Sequence, residues 1–473
     1  MTRIPAKTAL TVLTFVALIL LPQVAPALKN YKSLDPRNVG SLFDFPLRKM
    51  PEDPEANPLA SPAQMDEMRA RRLAAIMPKN LVDPTHTLDH FYETLLRGEG
   101  VRIIHYGDSP TTADLITADA RGMLQREFGN GGTGFVLIAR PWAWYNHRGV
   151  EMEASNWKID IAGNSELKDG LNGLGAVSFR GAPGAVARWK LRDRSHSSVE
   201  IAYLAEPEGG EFTIEAEDNP IGSAETTSEV RGPGFARFDI PPGSARFTLR
   251  VTRGMVRLYG ADFRRATPGV VYSSIGVNGA NVTLLSHALN QAHWAEQLRH
   301  YDPGLVIINY GTNESGFPQF VDTTWGREMR EVVRRLHTSL PGVSILLMSP
   351  MDRGERKADG EIDTLAAIPR LVNTEAKVAL DTGVAFFNTF QAMGGQGTMG
   401  RWYGAEPRLV GADYIHPMPA GARIVGELLF SALRDGYNQY KLQQLKEKLA
   451  EAPEETPRSA DKRVGDKRVG DKQ

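Results

Sequence analysis

Two kinds of apolar patterning divide the chain. From about residue 88, short unbroken apolar runs alternate with stretches whose apolar residues recur at helical spacing. The runs are "VRIIHY", "GVVYSSIG", "LVIINYG", "VSILLMSP" and "GVAFFN". The helical stretches are "LDHFYETLLRG", "TADLITADARGMLQREFG", "VTLLSHALNQAHWAEQLRHY", "WGREMREVVRRLHTSL" and "IPRLVNTEAKVALDTG". Runs with no polar face are strands buried on both sides, and strands spaced by helices predict a parallel sheet covered on both faces. Residues 142–267 break this rhythm with short alternating runs such as "WKIDIAG", "AVSFRG", "SVEIAYL" and "EFTIEAE", punctuated by Gly and Pro. Period-two alternation at near-regular spacing predicts a β-sandwich, set inside the α/β domain after its first helix.

The flanks read differently. Residues 1–27 run from "MTRIPAK" through the apolar "TALTVLTFVALILL" to "PQVAPA", the order of a secretory signal or an N-terminal membrane anchor. Residues 28–85, rich in Pro, Asp, Asn and charge with one helical stretch "AQMDEMRARRLAAIM", read as a linker or stalk, or equally a disordered leader. The expected order is then catalytic α/β part 86–141, inserted β part 142–267, second α/β part 268–440, and a charged helix with a solvated repeat tail over 441–473. The expected location is exported: periplasm or cell envelope, with inner-membrane anchoring left open.

Composition narrows the classes. Lys+Arg 55 against Asp+Glu 56 gives a net charge of -1, whereas a general nucleic-acid binder carries a basic excess. The absence of cysteine excludes disulfides, Cys-ligated zinc and a thiol nucleophile. No metal-ligand pattern such as HExxH or an Asp-rich calcium loop occurs, so neither metal nor cofactor is expected. The glycine-rich "GNGGTG" at 129–134 lacks a phosphate-loop Lys-Ser/Thr and reads as a turn.

Candidate chemistry lies just past the strand ends, where open α/β sheets build sites. Ser109 in "YGDSP" follows the first strand, "SSIGVNGAN" with Gly276 and Gly279 follows the second, and Asn313 in "YGTNE" follows the third. Asp413 and His416 in "DYIH" precede an amphipathic last helix. Each alone has a plainer reading as turn, cap or loop residue. Together they can supply a hydroxyl nucleophile, a base to accept its proton, a carboxylate to orient that base, and donors for an oxyanion.

In this order and context the four blocks resemble the SGNH (GDSL-type) hydrolase family, over about 100–140 and 268–435. The resemblance implies an α/β/α fold with a five-stranded parallel sheet of flavodoxin-like order. It makes Ser109 the nucleophile, His416 the base and Asp413 its orienter. It assigns the oxyanion hole to the Ser109 N–H, the Gly279 N–H and the Asn313 side chain, with Gly276 less favoured. The sequence departs from the family's common form at Pro110, where Leu is usual, and at Glu314, where Asp is usual. Pro110 has no N–H, which excludes an oxyanion hole using the residue after the serine, as in an α/β-hydrolase elbow. It suits the first turn of a helix, whose positive end favours developing negative charge.

A β insert between serine and glycine blocks is similar to the arrangement in envelope polysaccharide O-acetylesterases, peptidoglycan O-acetylesterases especially. That resemblance implies an O-acetylated polysaccharide as substrate and an acetyl-serine intermediate. The insert would be carbohydrate-binding-like, and Trp142, Trp144 and Tyr145 would either stack on sugars or pack in the core. An O-acetyltransferase with the same triad, or a non-catalytic glycan-binding protein on the same fold, are the alternatives.

Overall fold

The computed structural model describes residues 80–164 and 166–451. The leader over 1–27, nearly all of the stalk and the repeat tail lie outside these residues. The described strands are β1 (Leu81–Val82), β2 (Val101–Gly107), β3 (Asn130–Val136), β4 (Val150–Ile161), β5 (Val177–Leu191) and β6 (Ser198–Ala205). They continue with β7 (Glu211–Ala216), β8 (Asn219–Glu225), β9 (Gly232–Asp239), β10 (Arg246–Arg253), β11 (Val256–Arg264) and β12 (Val270–Gly276). Last come β13 (Leu305–Asn309), β14 (Ser344–Met348), β15 (Gly354–Arg356), β16 (Ile362–Thr364) and β17 (Ala385–Phe387). The longer helices are α1 (Asp89–Arg97), α2 (Ile116–Phe128), α3 (Gln291–Tyr301), α4 (Gly326–Ser339), α5 (Ala367–Thr382) and α6 (Pro419–Glu451).

Five strands pair in parallel in the order β17-β14-β13-β2-β12, and β1 closes the outer edge antiparallel to β17. Numbered along the chain, this is the doubly wound order 2-1-3-4-5, whose connections reverse direction between β2 and β13. Side chains alternate across the sheet, so each strand feeds two cores. Ile103, Leu305, Ile307, Leu346 and Met348 pack with α1, α2 and α6, through residues such as Phe91, Leu124 and Leu429. Ile104, Tyr106, Val306, Ile308 and Leu347 pack on the other face with Trp294 of α3, Val332 of α4 and Leu371 of α5. The expected three-layer α/β/α fold is present.

The antiparallel strands grow from this sheet rather than hanging beside it. β3 starts parallel to β12 at Asn130 and Gly132, then runs antiparallel to β11 from Gly132 to Val136. One layer is β4-β5-β10-β7-β8 and the other β9-β6-β11-β3, with β5 pairing into both. Strands that are not hydrogen-bonded neighbours meet face to face: Phe212 of β7 lies edge-on to Tyr203 of β6 and Phe238 of β9.

Four expectations are corrected. The "GNGGTG" segment is strand, not turn, because it is squeezed between two partners: a Cβ on Gly132 would lie 2.4 Å from the Phe263 carbonyl oxygen. The helix expected from Thr112 is broken at Asp114, whose φ is 51° and whose carboxylate receives Arg121, Thr117 and the Arg148 amide. The long helix expected over 282–301 is interrupted before α3, where extended Asn290 accepts from the His293 amide and caps the helix. Finally, α6 runs through residue 440 without a break, and β1 carries the ordered sheet upstream of residue 86. Among the described residues, no helix is long and apolar enough to cross a membrane.

Candidate active site

The crevice past the carboxyl ends of β2 and β13 is the switch point of the sheet, the place where such folds bind ligands. Ser109 enters it directly from β2, in a one-turn helix Ser109–Thr112 with Pro110 in its first turn. That turn presses down on the sheet because its neighbours have no side chains. A Cβ on Gly276, at the end of β12, would lie 2.0 Å from the Thr112 nitrogen. Gly276 therefore serves close approach at a strand end, and is not a turn residue.

Ser109 and His416, 307 positions apart, meet: Oγ and Nε2 are 2.7 Å apart. The other imidazole nitrogen, Nδ1, lies 2.6 Å from Asp413 Oδ2. Asp413 Oδ1 accepts from the amides of Ile415 and His416 at 3.0 and 3.1 Å, which fixes the carboxylate against its own loop. Burial alone would raise the Asp413 carboxyl, but the bonds from the imidazole and the two amides hold it below the usual carboxylate range. An ionised Asp413 accepts a hydrogen bond from Nδ1–H, which leaves Nε2 unprotonated and free to take a proton from Ser109. The His416 and Asp413 side chains keep 45% and 46% of their surface open, so the line sits at a shallow, accessible rim.

The donor side is built differently. Asn313 follows β13, and its Nδ2 donates one hydrogen to the Ala280 carbonyl at 2.7 Å, which leaves a second hydrogen available. Gly279 is exposed with φ 72°, and its N–H has no partner among the described residues. Ser109 opens its short helix, so its N–H has no intrahelical acceptor. Glu314, next to Asn313, is buried and ties the two loops together. Its Oε1 accepts from the Val282 amide at 2.8 Å and Trp325 Nε1 at 3.2 Å, and its Oε2 from the Gly311 amide at 3.1 Å. Residue composition around Asn313 gave no sign of this clamp; only the departure from Asp marked the position.

Further acids lie beneath. Asp108 is buried and its carboxyl is pushed up to about 7, first by burial and then by Glu314, against a bond from Thr312. Glu314 is raised by burial despite its bonds, and Glu375, buried with no hydrogen-bond partner for either oxygen among the described residues, is raised well above its usual value. Burial, with repulsion between Glu314 and its two neighbours, thus favours the protonated form of these acids.

The three aromatic candidates separate. Tyr145 is buried and its hydroxyl accepts from the Leu137 amide at 3.0 Å, so it is unavailable to a sugar. Trp142 is partly buried against the core. Trp144 is 71% exposed, on a loop tied to the Ser109 turn by the Asn146 amide bond to the Thr112 carbonyl. Among the described residues no group of three or more His, Cys, Asp or Glu is placed to hold a metal.

Serine, imidazole and carboxylate in one hydrogen-bonded line at the switch point of a doubly wound sheet is the arrangement of a serine acylhydrolase. Residues 243–424 match the GDSL-like Lipase/Acylhydrolase family, and the chain carries a GDSL-like acylhydrolase domain. The match starts beyond Ser109, which the intervening antiparallel strands separate from the other blocks. A solved structure of a peptidoglycan O-acetylesterase is similar at 23% identity and TM-score 0.63, over 76% of this chain and 99% of that one, and shows the same fold. A Bacillus subtilis protein (12% identity, TM-score 0.31, 60% and 90% covered) and an acetyl xylan esterase (18%, 0.27, 35% and 81%) are more distant, at scores that carry no argument. Comparison with curated proteins finds no match.

Proposed function

We propose that the chain is an exported serine esterase that removes O-acetyl groups from a cell-envelope polysaccharide, peptidoglycan foremost. The observation that carries this is the continuous Asp413–His416–Ser109 line. Ser109 Oγ attacks the acetyl carbonyl carbon while His416 Nε2 takes the hydroxyl proton. The oxyanion is received by the Ser109 and Gly279 amides and the free hydrogen of Asn313 Nδ2, with Glu314 holding the two loops in register. Collapse breaks the bond to the sugar oxygen, which leaves with the proton from His416. Water then attacks the acetyl-serine, gives one proton to His416, and releases acetate as Ser109 regains its proton.

Three features support a polymeric envelope substrate. The line is open rather than enclosed, which admits an acetyl group on a chain. Trp144 is exposed on the loop joined to the nucleophile turn, where a ring can stack on a sugar. The charged-then-apolar pattern of residues 1–27 addresses such a chain to the envelope. The test is acetate release from O-acetylated peptidoglycan by wild type and Ser109→Ala. Release by the wild type alone supports the reading. Equal release by both proteins, or acetate transferred to an added oligosaccharide faster than to water, overturns it.

A further inference from the structure

Arg353 is an unusual cation in this molecule. It is half-buried, makes no ion pair among the described residues, and leaves part of its guanidinium unspent. Among the described residues, every other arginine that is not exposed either pairs with a carboxylate or, like Arg335, engages all three guanidinium nitrogens. Desolvating a charge without a partner is costly, so such a residue is retained where something else neutralises it.

Its position is equally specific. Nη1 donates to the Thr312 carbonyl at 2.9 Å and to Ser315 Oγ at 3.1 Å, on either side of the Asn313–Glu314 pair. Next to it, the Gly354 amide donates to the Tyr414 carbonyl at 2.9 Å, within the Asp413–His416 loop. Arg353 thus stands between the donor side of the site and the proton-transfer line, close enough to feel the Asp413 carboxylate. Nη1 is occupied, while Nε and Nη2 have no partner among the described residues. Those two form the side-on edge of the fork, which matches the two oxygens of a carboxylate.

We propose that Arg353 binds a substrate carboxylate beside the acetyl ester, so that the enzyme selects acidic amino sugars over neutral ones. This rests on the peptidoglycan reading, in which the lactyl carboxyl of N-acetylmuramic acid is a free carboxylate wherever the stem peptide has been removed, and N-acetylglucosamine bears none. Otherwise alike at the ring, the two sugars form a matched pair of probes.

The experiment measures inhibition of 4-nitrophenyl acetate hydrolysis by each sugar, in wild type, Arg353→Met and Arg353→Lys. The wild type is expected to bind N-acetylmuramic acid at least about tenfold tighter, as a charge-assisted bond allows. The Met variant is expected to bring that ratio near one, whatever its own rate, and the Lys variant to keep part of it. A residue that only holds the Asn313 loop would lower the rate and leave the ratio intact. An unchanged ratio in the Met variant, or a wild type with no preference (including no inhibition by either sugar), overturns the inference. Because the reporter is a small ester, the ratio is read independently of acetate release from peptidoglycan, and the two proposals fail separately.

Discussion

The two halves of the site are held by different physics. The proton-transfer half, Asp413 to His416, is a four-residue loop with both side chains nearly half open, fixed by hydrogen bonds inside that loop. The donor half, Gly279 and Asn313, is fixed from below by buried Glu314, which joins segments more than thirty residues apart in sequence. The first half tolerates water and depends on local geometry. The second depends on a buried carboxylate whose removal leaves three buried donors unsatisfied.

The largest combined effect on rate and stability expected from this contrast is at Glu314. Replacing it with Ala should lower kcat by about 10²- to 10³-fold, as for loss of an aligned oxyanion donor, and should lower Tm as well. Glu314→Gln, which keeps an acceptor of nearly the same shape, should recover part of both. Steady-state kinetics and thermal melts on the two variants check this. A neutral Ala variant would break the comparison.

Asp413→Asn should cost about 10²-fold or more in kcat by presenting the wrong imidazole tautomer, with little change in Tm because the site is open. The pairing of a large kinetic loss with a small thermal one distinguishes this half from the Glu314 half. Gly276→Ala should destabilise by about 1–3 kcal/mol, since the added Cβ has no room against Thr112, and should reduce kcat by moving Ser109. Chemical denaturation read beside activity separates the two losses.

The smallest effect concerns Asp108. Its carboxyl is raised to about 7 in the folded chain and lies near 3.8 in an ordinary setting. Between these values the folded state binds the extra proton, so stability falls as pH rises and levels off above about 7. Asp108→Asn should flatten that slope, which melting temperatures across pH 4 to 8 would show.

The same contrast explains what could be read from the sequence. Asp413 and His416 are three residues apart, and Ser109, Gly279 and Asn313 each sit in a short block at a strand end, so local spacing exposes them. The parallel, doubly covered sheet followed from apolar runs that bury on both faces, whereas the strand order came from the family resemblance alone. Glu314's role, Arg353's position and the close approach at Gly276 depend on which distant segments meet, and no local pattern encodes that. Tyr145 and Trp144 are neighbours of like composition, yet one is buried and the other open, because only the fold decides which side faces the core. The glycine run at 129–134 was unreadable for a related reason: its strand character comes from its two partners, since glycine itself disfavours strands.

The central claim is that Ser109 is a nucleophile activated by His416. The most direct measurement is covalent labelling with a phosphonylating ester probe, followed by intact mass and peptide mapping. The account predicts one adduct, on Ser109, formed rapidly by the wild type and far more slowly by His416→Ala. An adduct on another residue, equal labelling of the His416 variant, or labelling that persists in Ser109→Ala would contradict it.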